Sequence, residues 1–181
     1  MLSSHPVLTK LRKCLYLYIG ATQRNGLGLF TARNLARDAL VIVDEDGDYY
    51  NQVLTYAELT AQNYDLHDDA VQIGHDAFVL PNGNLDDFMN HSCDPNCGIR
   101  LTPEGYVAIA LRDIQKDEEL TYDYSTYMGF SHPCLPCTCG ATACRGVIDN
   151  FSTLAEPIRE KYLSLGVVGE FVARDPISHR G

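Results

Sequence analysis

The sequence predicts a mainly β protein, built as one domain with a few short helices and a helical tail. Three observations predict it. Apolar stretches are short and are punctuated by glycine, proline, asparagine and aspartate, as strands and their turns are. A sustained helical spacing of apolar residues is confined to the C-terminal part. With 181 residues, 45% of them hydrophobic, the chain can bury one real core and is too apolar to be disordered.

The elements follow in order. "CLYLYIGAT" and "GLGLFTARNL" read as two strands joined by the polar turn "TQRNG". "ALVIVDEDGDYY" is a buried strand running into an acidic turn. In "TYAEL", Thr55 with Glu58 three residues on is a capping box that opens a short helix. "QNYDLHDDA" reads as loop, and "AFVL" before "PNGN" as strand and turn. "GIRL", "TPEG" and "YVAIAL" form a hairpin with Pro103 and Gly105 in its connection. "DIQKDEEL" is a polar loop and turn. In the tail, Thr153 with Glu156 is a second capping pattern, and Pro157 is tolerated near the first turn. Leu154, Ile158, Tyr162 and Leu165 form a packing stripe, and Gly166 stops the helix.

Charge narrows the function. The 24 acidic side chains outnumber 14 lysines and arginines, for a net charge of −10 and a pI near 4.9. A nucleic-acid binder is ordinarily basic, so no direct nucleic-acid binding is expected. An acidic surface suits a basic partner such as a lysine-rich peptide. No apolar run approaches the ~20 residues of a membrane span, and "MLSSHPVLTKLRKCLYLYIG" has no apolar region leading to a cleavage site. The expectation is a soluble intracellular protein, cytoplasmic or nuclear, with no membrane contact.

Cysteines carry the strongest physical signal. Four of the seven, Cys134, Cys137, Cys139 and Cys144, fall in one short stretch. Such clustering in a reducing compartment favours metal over disulfides. Cys137, Cys139 and Cys144, with Gly140 to let the chain bend, suit a tetrahedral Zn²⁺ site that needs a fourth ligand. Spacing alone nominates Cys134, which makes the site local. Cys93 is the non-local candidate, with Cys97 and Cys14 weaker, and local reasoning leaves the choice open. An all-thiolate site is closed and structural, which argues against a zinc hydrolase.

Cys93 stands in "NHSCDPNC", where an amide, an imidazole, a hydroxyl and a thiol precede the turn Asp94-Pro95-Asn96. Taken with "NGLGLFTARNL" before it and "EELTYDY" and "PCTCGATACRGVI" behind it, this stretch resembles the SET-domain family of protein lysine methyltransferases. The resemblance covers roughly residues 12–150. It implies a β-clip-like fold of small curled sheets with a pseudoknot. It further implies a SET domain over residues 12–130, a post-SET zinc segment over 131–150, and a helical tail over 151–181. It makes Cys93 the fourth zinc ligand beside Cys137, Cys139 and Cys144, and leaves Cys97 and Cys134 out.

The resemblance also implies the chemistry: a methyl group passes from S-adenosylmethionine to a lysine amine. Tyr124 matches the family's catalytic tyrosine. Tyr122 matches the position that governs how many methyls fit, which implies a bias toward monomethylation. Asn90 and His91 match the cofactor-contacting pair, and Gly26, Leu27 and Gly28 the glycine turn beside the cofactor. Asn25 and Thr138 hold further cofactor-side positions. Phe88, Tyr106 and Tyr127 line the lysine channel or pack in the core. The implied substrate is a lysine-containing basic protein or peptide, with a histone tail among the candidates. Asp87 stands where an arginine is common, and Val147 where an aromatic often follows "CRG", leaving Phe151 as a candidate to stack on adenine. These departures define the alternative, a catalytically weak or inactive zinc-stapled module that binds a peptide.

Overall fold

Alternation along "LGLFT" sends Leu29 and Thr31 inward, while Phe30 between them is only partly buried, so the segment is a strand with one face on the core. It is β2 (Leu27–Thr31). It pairs antiparallel with β1 (Leu17–Ala21), register Ile19 to Leu29. The computed structural model describes residues 15–23, 26–44, 53–64, 70–129 and 134–174.

Small sheets make up the described part. After β3 (Leu40–Asp44) and β4 (Val53–Leu54) comes α1 (Tyr56–Ala61), opened by the expected capping box. The Thr55 hydroxyl accepts from the Glu58 backbone N–H, and the Glu58 carboxylate accepts from the Thr55 N–H. Next are β5 (Val71–Gly74), β6 (Ala77–Val79) and β7 (Asn90–His91). A hairpin of β8 (Cys97–Thr102) and β9 (Gly105–Ala110) follows, with β3 on the far side of β9. Its connection is Pro103–Glu104 alone, because Gly105 pairs with Thr102 inside the ladder.

The strand β10 (Glu119–Tyr122), whose first two residues the sequence reads as loop and turn, sits between two partners in its sheet. It pairs antiparallel with β2 and parallel with β7, completing the order β1-β2-β10-β7. Two short strands, β11 (Leu135–Pro136) and β12 (Val147–Ile148), bracket the cysteine-rich turn.

The tail holds α2 (Glu156–Leu165) and α3 (Glu170–Ala173). Thr153 is not the cap: its hydroxyl donates to the Asn150 carbonyl within a 3-10 turn, and Ala155 takes the N-cap position with no side-chain bond. Gly166, at φ +63, closes α2 in the left-handed conformation that glycine adopts without strain. Leu154 and Tyr162 are buried and Ile158 and Leu165 partly so, so the stripe packs on the main core. That core also takes Leu29, Ile114 and Leu120, none of them exposed. Truncating any one to alanine is expected to cost about 2–5 kcal/mol. A second, smaller cluster joins Cys93, Cys137, Met128 and Ile148, with Tyr124 packed against it.

Candidate functional site

Two segments far apart in sequence are aligned by one parallel ladder. In it, Asn90 is opposite Thr121 and His91 opposite Tyr122. The Ser92 N–H donates to the Tyr122 carbonyl and extends the pairing to the edge of Cys93. The ladder thereby sets "NHSC" beside "TYDY".

Tyr124 follows β10 in a 3-10 turn (Tyr124–Tyr127), capped by the Asp123 side chain accepting from the Ser125 N–H. Its hydroxyl donates to the Met89 carbonyl at 2.9 Å. Burial, with the Glu119 carboxylate nearby, pushes this phenol up to about 12, so it is neutral near pH 7. Its ring centroid lies 4.8 Å from that of Tyr122 and 5.4 Å from that of His91.

His91 is buried and bonded at both nitrogens. Nδ1 faces the Tyr124 N–H at 3.2 Å, and a backbone N–H can only donate, so Nδ1 is the acceptor. The ring proton then sits on Nε2, 3.3 Å from the Cys93 sulfur. Burial lowers this imidazole to about 4, with Arg145 adding to the fall and Asp123 opposing it, so the ring is neutral. Its side chain links two protein segments, a use the resemblance did not imply.

The thiols converge. Cys93 and Cys137 have their sulfurs 3.7 Å apart across 44 residues of sequence, and Cys144 lies 3.7 Å from Cys137. The Cys139 sulfur accepts from the Cys93 backbone N–H at 3.4 Å, and the Cys93 sulfur from the Arg145 N–H at 3.4 Å. A tetrahedron of sulfurs at the usual Zn–S length of about 2.3 Å has edges of about 3.8 Å, so these separations fit a zinc ion. His91 and the Cys93, Cys137 and Cys139 sulfurs have ligand atoms all within 4.8 Å of one another, and Cys144 adds a fifth candidate donor through its approach to Cys137. Cys134 is exposed and outside the group, and Cys97 is buried elsewhere, its thiol pushed up to about 12 by burial.

Other expected residues scatter. Gly26 has φ +76 and Leu27 is 54% exposed, at the edge nearest Asn90. Both Nδ2 hydrogens of Asn90 are committed, to the Leu27 carbonyl at 2.9 Å and to Glu119 Oε1 at 2.7 Å. Gly28 lies beneath those side chains: a Cβ there would meet Glu119 Oε1 at 2.6 Å and Asn90 Nδ2 at 3.0 Å. Thr138 is exposed beside the thiols, and Asn25 lies outside the described residues. Tyr106 and Tyr127 are core residues, with the Tyr127 hydroxyl donating to the Ile99 carbonyl. Phe151 is also buried in the core, which removes it as a stacking surface for a ligand. Asp87 closes a local turn, its carboxylate accepting from the Gly83 and Asn82 N–H groups.

The sequence reading missed three residues. Asp123 is 1% exposed. Its Oδ1 accepts from Arg145 Nη2 at 2.8 Å, and its Oδ2 from the Tyr162 hydroxyl at 3.1 Å. Arg145, one of those partners, is the second missed residue and Glu119 the third; Tyr162, the other partner, was read only as part of the packing stripe. Asp123 and Arg145 sit inside quoted motifs, but their pairing is tertiary.

Known proteins account for the arrangement. The methyltransferase domain of human SETMAR superposes with a TM-score of 0.57 at 25% identity, covering 74% of this chain and 58% of that one. KRYPTONITE, crystallised with mCHH DNA, H3(1-15) peptide and SAH, gives 0.55 at 23% identity and shares the fold, over 74% of this chain and 29% of its own. The H3 lysine-4 specific histone-lysine N-methyltransferase of Schizosaccharomyces pombe is 35% identical over 74% of this chain. Human histone-lysine N-methyltransferase 2B is 36% identical over 67%. The chain spans only 15% and 5% of the length of these two relatives. The family model of the SET domain matches residues 26–125, more than half of the chain, and the chain belongs to the SET-domain family.

Proposed function

We infer that this chain is an S-adenosylmethionine-dependent protein-lysine N-methyltransferase, with a structural zinc ion pinning its post-SET segment. The observation that carries the reading is the β7–β10 ladder, which sets Asn90 and His91 against the strand leading to Tyr124. The donor set suits the ligand: Asn90 keeps Oδ1 without a protein partner among the described residues, ready to accept from an ammonium or a ribose hydroxyl. Gly26, Leu27 and Gly28 offer backbone next to it.

When bound, the sulfonium supplies an electrophilic methyl group for in-line displacement by a lysine amine. The protein's part is alignment and charge control. Tyr124 spends its proton on the Met89 carbonyl, so its oxygen is left to accept from the incoming amine. A phenol held near 12 is not a base at neutral pH. Its role is to orient the amine nitrogen, which must arrive with its lone pair free. Desolvation favours loss of the ammonium proton. Tyr122, stacked at a tilt on Tyr124, narrows the same space and favours a monomethyl product.

Cys93, Cys137, Cys139 and Cys144 would hold the zinc, whose bonds tie the post-SET turn to the strand of Asn90 and His91. We assign His91 as a donor to the Cys93 sulfur and not as a ligand, because its Nε2 proton is fixed by the bond at Nδ1.

The substrate is a lysine on a basic protein tail. The acidic chain favours such a partner, and the H3-specific relatives make the histone H3 tail the first choice. The test is transfer of radiolabelled methyl to core histones and to proteome fractions, wild type beside Tyr124→Phe. Labelling by the wild type that drops by two orders of magnitude or more in the variant supports the reading. No labelling of either mixture by zinc-loaded protein sinks it.

A further inference from the structure

The carboxylate of Glu119 occupies a place that the reaction as described does not use. Glu119 lies opposite Phe30 in the β2–β10 ladder, next to Leu120 opposite Leu29. Leu29 and Leu120 point into the core with no exposure. Strand alternation therefore turns Glu119 to the other face. Gly28 shares that face, and so does Asn90, through its register with Thr121. The glycine lets both side chains lie across the strand. Glu119 Oε1 reaches Asn90 Nδ2 at 2.7 Å.

That bond, together with the one to the Leu27 carbonyl, decides how the Asn90 amide is turned. Nδ2 faces two acceptors, the Leu27 carbonyl and Glu119 Oε1. The flipped amide would set its oxygen against both, with two donors lost and two acceptor pairs opposed. Only one orientation is stable, and it leaves Asn90 Oδ1 as the free acceptor. A carboxylate accepts only, and a glutamine here, with the Leu27 carbonyl still accepting from Nδ2, can turn its own amide oxygen toward Asn90.

We propose that Glu119 is a positioning residue for the methyl donor: it clamps the Asn90 amide so that Oδ1 receives the α-ammonium of the donor's amino-acid part. This rests on the donor-binding reading above and adds a residue and a ligand group to it. Methionine at 119 removes the acceptor at similar size. Glutamine keeps an amide oxygen that can still accept from Asn90 Nδ2.

Isothermal titration with three probes tests the clamp: S-adenosylmethionine, S-adenosylhomocysteine and 5′-methylthioadenosine, which has no amino-acid part. Glu119→Met is expected to weaken the first two about tenfold each and leave the third unchanged. Glu119→Gln is expected to recover most of that loss. Equal weakening of methylthioadenosine means a merely structural role and overturns the proposal. So does a glutamine variant as weak as the methionine one, which means a charge effect, or a methionine variant that binds like wild type. If wild-type protein binds none of the three, the donor site itself is refuted, a result separate from any behaviour of the variants. Thermal unfolding controls for folding, and Glu119→Ala, which also lacks an acceptor, is read the same way should the methionine variant unfold.

Discussion

The Nε2 of His91 lies 3.3 Å from the sulfur of Cys93, while Nδ1 of the same ring takes the backbone N–H of Tyr124. One buried imidazole therefore spans the thiol cluster and the residue proposed to orient the amine. In the proposed zinc site, losing the Cys93 sulfur removes a ligand, whereas losing the imidazole removes only a donor to that ligand. Cys93→Ala is expected to release zinc as readily as Cys139→Ala, and Cys134→Ala to retain it. His91→Phe is expected to weaken zinc binding by about 10–100-fold without abolishing it. Metal-to-protein ratios after dialysis against graded chelator read all four. Release only in the Cys134 variant would show that the site is local to the post-SET turn.

Thiol reactivity gives an independent reading of the same cluster. Cys134 is exposed, whereas Cys97 is 1% exposed with its thiol pushed up to about 12 by burial. Low thiolate content and lack of access both slow alkylation. In the zinc-loaded protein, iodoacetamide should label Cys134 quickly and leave Cys97, Cys93, Cys137, Cys139 and Cys144 unlabelled. After chelation the last four should become reactive while Cys97 stays protected. Peptide mass spectrometry separates these sites, and early labelling of Cys93 in loaded protein would remove it from the ligand set.

Asp86 imposes a pH dependence of known sign. Burial, with Asp87 and Asp44 nearby, pushes its carboxyl up to about 6, and a hydrogen bond with Tyr106 opposes the rise. In the unfolded chain the group ionises near 3.8. Below about pH 4 both states hold the proton and the group carries no penalty. From there to about pH 6 the unfolded state gains by ionising, so stability falls, and above pH 6 the loss is constant. Asp86→Asn should therefore match wild type near pH 4 and exceed it by about 1–3 kcal/mol near pH 7. Urea denaturation at the two pH values measures this, and an equal gain at both would mean that ionisation is not the cause.

What could be read from the sequence divides by range. The Thr55–Glu58 capping box is local chemistry and was legible in five residues. Thr153 and Glu156 show the same spacing, but the 3-10 turn Phe151–Thr153 engages the threonine hydroxyl first and shifts the helix start to Ala155. The strand Glu119–Tyr122 was hidden because its partners are β2 and β7, far back in the chain, and its acidic approach reads as loop. The thiols could be counted, but the approach of Cys93 to a cluster 44 residues on is a tertiary fact that spacing cannot carry. Family resemblance supplied that pairing, and geometry now places those sulfurs together. Glu119 stands inside the quoted "EELTYDY", but its meaning depends on which way one amide is turned.

Tyr122 sits with its ring 4.8 Å from that of Tyr124, and in the proposed site its bulk limits a growing methylammonium. Replacing it with phenylalanine keeps the ring and frees the volume of one hydroxyl. Tyr122→Phe is expected to raise the di- and trimethyl share of product lysine, with wild type yielding mainly monomethyl. Mass spectrometry of a methylated H3 peptide distinguishes the products. Trimethyl-lysine as the main wild-type product would exclude the proposed crowding.

Asp123 ties the tail to the site. Its carboxylate accepts from Arg145 in the post-SET turn, from the Ser125 N–H and from the Tyr162 hydroxyl on α2, and it lies 3.6 Å from His91 Nδ1. Arg145 Nη1 is already buried without a hydrogen-bond partner, so Nη2 is where its charge is balanced. Asp123→Ala leaves that partly buried guanidinium without its counter-charge and is expected to cost about 2–4 kcal/mol. Tyr162→Phe removes one hydrogen bond to the carboxylate while keeping the ring in the core, and is expected to cost about 1–2 kcal/mol. Urea denaturation orders the two. Because Arg145 also donates its backbone N–H to the Cys93 sulfur, Asp123→Ala should weaken zinc as well, whereas Tyr162→Phe should not. If both variants lose zinc equally, the tail helix and not the Asp123–Arg145 pair holds the post-SET turn in place.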